Sequence, residues 1–239
     1  MGGDFNMVGA DNAWAEARSA LSWWLEAGVD AAIQEDSRDW LTAPAKASAA
    51  RAAAPNLVQP TQGTLAELQQ WLATSVLLPL AGPAAKRIHP HGPEQAPVML
   101  LSDSLTLEDG AAGKPIGGTA WELTVKMLAA IGIDSDDAYS ASLSCFHSPG
   151  ARMSAEEREA CAEIARRHIA LAQPKRLLLF GKEPSEALLG KPLTEARGHV
   201  HKVEGVRTVV TFHPRFLINH PSNKALAWKD LLLLMEDES

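Results

Sequence analysis

The stretch RTVVTF (207–212) runs without a break into HPRFLINHP (213–221), and this junction decides how the chain is read. Its first half is rich in Val and Thr, β-branched residues that suit a pleated strand. Its second half opens on a polar His-Pro turn. Working outward, VMLL (98–101), AYSASL (138–143) and RLLLF (176–180) are three more short apolar or β-branched runs. Helical patterns fill the intervals at 120–131, 155–172 and 184–189, and a final one at 223–235 closes the chain. Strands alternating with helices imply βαβ crossovers. The expected fold is therefore α/β: three layers, α/β/α, around a central four-stranded parallel sheet. Ligands in such sheets bind beyond the carboxyl ends of the strands, so the segments after Leu101, Leu143, Phe180 and Phe212 hold the candidate site.

Ahead of the sheet the organisation changes. AWAEARSALSWWLE (13–26) has helical spacing and closes on Gly28, a candidate C-cap. Trp23, Trp24 and Trp40 either pack this extension onto the body or offer a base-stacking platform. The Ala-rich stretch 43–54 reads as a solvated helix or a linker. Residues 1–60 are thus expected to be a helical extension and linker, and 61–239 the main domain. Thr64, with Glu67 three residues on, has the capping-box pattern of a helix running to Leu78. A proline-punctuated connection follows, and KRIHPHG (86–92) within it reads as a loop on a nucleic-acid side or a solvated turn.

The totals bound the rest. Of 239 residues 46% are hydrophobic, enough for a sizeable core. No apolar run approaches the roughly 20 residues of a membrane helix, and the first residues lack the pattern of a secretory signal. A cytoplasmic protein without a membrane partner is expected. Two cysteines, Cys145 and Cys161, neither suggest a disulfide scaffold nor complete a four-thiolate metal site. The net charge of −7 counts against nucleic acid as a whole-chain sum, because phosphate neutralisation supplies most non-specific affinity. The segment 207–229 is nonetheless locally basic.

Two strand ends carry the chemistry. Leu101 leads into SDSLTLEDG (102–110), where Asp103, Glu108 and Asp109 stand together. A carboxylate there can orient or activate water. Phe212 leads into His213, which either donates a hydrogen bond to a developing anion or ties down loop carbonyls. Arg215, Phe216 and Leu217 combine phosphate-binding charge with apolar wedges, or else begin a helix with core residues.

Several motifs then line up in order. GKPIGGTAWELTVKMLAAIGI (113–133), CFHSPGARMSAEEREAC (145–161), TEARG (194–198) and HPRFLINHPSNKALAWKDL (213–231) resemble segments of the iron–sulfur, or family 4, uracil-DNA glycosylases. The resemblance runs from about Thr64 to Leu233. It implies Asp103 and His213 as catalytic residues, with Asp103 near the sugar or attacking water and His213 on the leaving oxygen. It implies a substrate pocket at Ser102, Ser104, Ile116, Ala141 and Ser142. It implies DNA contacts from Lys114, Arg197, Pro214, Arg215 and Phe216.

The departures from the family pattern concern chemistry. The glycine-rich first motif is replaced by Ser102-Asp103-Ser104-Leu105-Thr106, with Asp103 at the glutamate position. The stacking phenylalanine falls at Ile116, and the base-reading asparagine at Ala141. Cys145 and Cys161 match two cluster ligands, whereas Ser75 and Leu78 stand where the other two would be. No cluster and no other cofactor is expected. The leading expectation is a DNA repair glycosylase acting on a flipped deaminated or damaged base, on single-stranded or damaged DNA, slow or altered in specificity. A catalytically degenerate DNA- or protein-binding module on the same fold is the competing expectation, with a small-molecule hydrolase behind it.

Overall fold

A computed structural model describes residues 63–81, 85–103, 105–147 and 153–236. The N-terminal extension, its tryptophans and Ser104 lie outside the described residues. All described residues belong to one unit of the chain, Ala52–Ser239.

The four expected strands are present: β2 (Met99–Ser102), β3 (Tyr139–Ser142), β5 (Arg176–Phe180) and β7 (Val206–Thr211). They pair in parallel in the order β3-β2-β5-β7. A fifth strand, β6 (Val200–Val203), adds to the edge antiparallel to β7, so the sheet is mixed. The sequence reading missed it for a local reason. Val203 pairs with Val206, leaving a two-residue turn, Glu204-Gly205, with both residues at positive φ (49° and 79°). That is the turn that suits hairpin twist, but Glu-Gly lacks the Asn-Gly or Asp-Gly signature that announces it. Lys86–Arg87 (β1) and Phe146–His147 (β4) form a separate small antiparallel pair. KRIHPHG therefore begins with a two-residue strand, and His91 exchanges backbone hydrogen bonds with Ser140 at the edge of β3.

Successive strand residues point to opposite faces, so the apolar runs supply two cores at once. Met99, Leu101, Leu177, Leu179 and Val210 face one layer: α1 (Leu65–Thr74), α4 (Ala155–Ala172), α5 (Lys182–Leu189) and α6 (Leu193–Ala196). Leu100, Leu178, Phe180 and Val209 face the other: α3 (Gly118–Ala130), α7 (Pro214–Asn219) and α8 (Lys224–Met235). The remaining helix, α2 (Leu107–Ala112), follows β2. The result is the expected three-layer arrangement. Thr64 and Glu67 do form a capping box, but the helix they start ends at Thr74, short of Leu78. Among the described residues no helix is long and apolar enough to cross a membrane.

Candidate functional site

His213 follows β7 and serves as the N-cap of α7. Pro214 occupies the first helical turn, where its missing N–H costs nothing, and the His213 Nδ1 accepts the Arg215 backbone N–H at 3.1 Å. An accepting Nδ1 places the ring proton on Nε2, which donates to the Ser102 hydroxyl at 3.0 Å. The ring is buried at 5% exposure, with the Phe180 ring edge-on at 6.0 Å. Burial first, then the nearby Arg215 charge, pushes its pKa down to about 3. His213 is thus a neutral donor with a fixed tautomer. It cannot take a proton from Ser102 through Nε2, which excludes a serine-nucleophile reading of this Ser–His pair.

Asp103 leaves the end of β2, and its Oδ1 lies 3.9 Å from His213 Nε2. The two strand ends therefore meet at one rim. Burial raises the Asp103 pKa to about 7; Glu183 and Asp109 reinforce the rise, and Arg215 opposes it. Gly181, at the end of β5, makes room: a Cβ there would lie 2.5 Å from Asp103 Oδ2, and its φ of +91° suits glycine alone. The sequence offered a hint in the glycine directly after RLLLF.

Beneath both groups sits Asp109, fully buried. It caps α2 by accepting the Thr106 N–H and hydroxyl, each at 2.7 Å, and it accepts the Gly117 N–H at 2.7 Å. The Arg215 Nη2 reaches the same carboxylate at 2.8 and 3.0 Å. One anion thus ties the loop after β2, the turn before α3 and the first turn of α7 together. The sequence showed Asp109 only as one of three acidic residues in a loop. The Thr-x-x-Asp spacing that marks its capping role was legible, but its partner 106 residues away was not.

The other expected site residues divide. Ser102 and Ser142 lie at the same rim, Ser142 donating to the Ser144 carbonyl at 2.7 Å. Ile116 and Ala141 belong to the cores on opposite faces of the sheet, at 0% and 1% exposure, and present no surface at the rim. Lys114 is exposed over the Trp121 ring at 5.5 Å, and Phe216 is 38% exposed. Pro214 is buried in the α7 start. Arg197 was expected on the nucleic-acid side. Instead it turns inward: it pairs with buried Asp230 at 2.6 Å and stacks on Phe212 at 3.8 Å.

The region matching the cluster segment does not fit a four-cysteine iron site. Leu78 carries no donor atom and is buried with Leu68, Leu72, Phe146 and Ile164, while Arg87 lies over the Phe146 ring at 4.6 Å. Burial raises the Cys145 and Cys161 thiols to about 11 and about 12, so both are held as protonated packing groups. Among the described residues no group of metal-ligating side chains is assembled.

The family model described as the uracil DNA glycosylase superfamily matches residues 89–232. A type-4 uracil-DNA glycosylase of Pyrobaculum aerophilum is 24% identical over 147 residues, which cover 57% of this chain and 75% of that protein. Another from Archaeoglobus fulgidus is 23% identical over 141 residues, 54% of this chain and 71% of that protein.

Proposed function

Because the chain belongs to the uracil DNA glycosylase superfamily, we propose that it is a DNA repair glycosylase that hydrolyses the N-glycosidic bond of a flipped, deaminated or damaged base. The observation carrying this reading is the meeting of Asp103 and His213 at one strand-end rim, with the histidine locked as a neutral Nε2–H donor. In this mechanism the bond from the sugar carbon to the base nitrogen breaks, and His213 donates its Nε2 hydrogen bond to the carbonyl oxygen where negative charge collects. Asp103, as carboxylate, orients the water that forms the new bond to the sugar carbon and takes its proton. Lys114 and Phe216 are the exposed members of the DNA-facing set. Pro214, Arg215 and Arg197 shape that face from within. The buried Ile116 and Ala141 supply neither a stacking ring nor a reading amide, so specificity is relaxed or redirected and turnover is slow.

A second reading, a binding module that has lost catalysis, is favoured by one specific contact. Ser102 already occupies the Nε2–H, and 3.9 Å between Asp103 and His213 leaves no room for a base edge between them. The glycosylase reading therefore requires the two loops to part on binding.

The experiment incubates the protein with uracil-, hypoxanthine- and xanthine-containing single and double strands, then reveals abasic sites with alkali. Cleavage that disappears in His213→Ala is expected. No cleavage at stoichiometric protein, with wild type and variant alike, would overturn the enzyme reading. DNA binding that persists without cleavage would establish the second.

A further inference from the structure

Four flat groups stand in one column along α7. The Arg197 guanidinium lies over the Phe212 ring at 3.8 Å. Phe212 stacks on Phe216, with centroids 5.0 Å apart and planes 23° from parallel. Phe216 stacks in turn on His220, at 4.2 Å and 16°. The order follows from the spacing. Phe212, Phe216 and His220 are four residues apart, so their rings succeed one another along one side of α7. The column begins inside, where Asp230 holds Arg197 at 2.6 Å, and ends outside, where His220 is exposed. Phe216 is 38% exposed, but both of its faces are covered, and only its edge meets solvent. The open face belongs to His220, which has no further stacking partner among the described residues.

That face is fixed in place. The His220 Nδ1–H donates to the Phe216 carbonyl at 3.1 Å, and the His220 backbone N–H donates to the same oxygen at 2.9 Å. The Asn223 N–H donates to the His220 carbonyl at 3.1 Å, and Pro221 restricts the backbone before it. Ordering an exposed ring costs side-chain entropy and buries little in return. A ligand that stacks on this ring meets a face already ordered. The place also matters. His213 caps the start of α7, and His220 comes seven residues later, about 10 Å along the helix. Bases on one strand rise by about 3.4 Å, so this face falls about one to three nucleotides from a base held at the Asp103–His213 rim.

We propose that the outer face of His220 is a stacking site for an unpaired nucleobase that flanks the target base on a bound strand. The strand is DNA engaged at the Asp103–His213 rim, so the site rests on the function proposed above. A base laid on His220 adds one more layer to the column. Every base has a π face, so the site holds a flanking base without reading which one it is. It favours single-stranded or locally opened DNA, where such a base is out of its duplex.

The test uses the full chain and short single strands with a non-hydrolysable abasic analogue at the target position. A second analogue, moved stepwise to either side, removes one flanking base and keeps its phosphate. At one position its introduction is expected to weaken binding by wild type about fivefold or more. His220→Ala should bind both strands equally at that position. His220→Phe, which keeps a ring, should retain most of the preference. His220 is exposed, so both variants should fold, and their melting temperatures check it. The ring C–H resonances of His220 should move upfield with the intact strand and not with the strand lacking that base. Equal discrimination by wild type and His220→Ala, or no position at which wild type discriminates, would overturn the site. So would a His220→Phe variant as indifferent as His220→Ala, because a ring face would not then hold the base. Base release from a uracil-containing strand is scored separately. No release, with the His220-dependent preference intact, supports the site on a binding module; release without that preference keeps the glycosylase and overturns the site.

Discussion

Ser102 and His213 lie 111 residues apart in the chain, and the hydroxyl of one accepts the Nε2–H of the other at 3.0 Å. The serine therefore occupies the one ring donor that a leaving base would need. A base oxygen that replaces the hydroxyl exchanges one hydrogen bond for another, so little is gained from the exchange before the oxygen becomes anionic. Ser102→Ala is expected to destabilise the fold by about 1–3 kcal/mol, because it leaves a buried donor without a partner. Base release by this variant should stay within about threefold of wild type or rise. His213→Ala should lose about 100-fold or more, as removal of an oxyanion donor does. Urea unfolding and single-turnover cleavage separate the two effects. A Ser102→Ala rate as low as that of His213→Ala would make the hydroxyl a catalytic group.

Asp103 sets a pH dependence that His213 cannot. Its carboxyl is raised to about 7, and only the ionised form takes a proton from water. His213 protonates near 3, outside the working range, so its donor persists across it. The rate of base release is expected to climb with pH along a single limb with a midpoint near 7 and then level off. The charges facing Asp103 are Arg215, Glu183 and Asp109, and Glu183→Gln, by removing a negative neighbour, should move that midpoint down. Asp103→Asn should abolish the limb along with about 100-fold or more of the rate. A profile flat from pH 5 to 9 in wild type would contradict the assignment.

The Asp109 carboxylate joins the loop after β2, the turn before α3 and the first turn of α7, so its removal should be felt as unfolding before it is felt as lost binding. Asp109→Ala leaves the Thr106 and Gly117 amides and the Arg215 guanidinium without their acceptor, and a loss of about 3–5 kcal/mol is expected. Arg215→Ala should cost less, about 1–3 kcal/mol, because Asp109 retains its other donors. DNA affinity offers a second readout. With its guanidinium committed to Asp109, Arg215 should leave the slope of log affinity against log salt unchanged when removed. A slope reduced by about one, with stability intact, would make Arg215 a phosphate contact instead.

These contrasts also mark what the sequence could convey. Apolar alternation in RLLLF divides Leu177 and Leu179 from Leu178 and Phe180, and the two cores follow from it. Capping signals such as Thr64-x-x-Glu67 act within four residues and were visible in one dimension. The rim was legible because the carboxyl ends of neighbouring parallel strands lie along one edge of the sheet, which puts the residues after β2 and β7, Asp103 and His213, on the same side. Long-range pairings were not legible. Nothing local says that Arg197 is drawn inward by Asp230, that Asp109 anchors Arg215, or that Ile116 is enclosed by the core rather than lining a pocket. The turn at Glu204-Gly205 hid a strand because its backbone geometry is set by hairpin twist rather than by a familiar residue pair.

On the far side of the sheet, a buried polar chain makes stability depend on pH. Gln69 Nε2 donates to the Tyr139 hydroxyl at 2.8 Å, and that hydroxyl, its oxygen already accepting, donates to His168 Nε2 at 2.7 Å. His168 is buried in α4 and must stay neutral to accept; burial lowers its pKa to about 4 from an unfolded value near 6.5. The unfolded chain then binds the proton first as the pH falls. The contribution is complete above about 6.5 and lost progressively toward 4, up to about 3 kcal/mol. Asp103, whose pKa is raised, acts in the opposite sense over an overlapping range, and His213, lowered to about 3, acts in the same sense, so the raw stability profile mixes all three. A difference experiment isolates His168. His168→Gln can still accept from Tyr139 but cannot titrate, so the stability of wild type relative to this variant should decline as pH drops from 6.5 to 4. Urea midpoints taken at each pH measure that difference. If it were constant across the window, His168 would not be the group that titrates on unfolding.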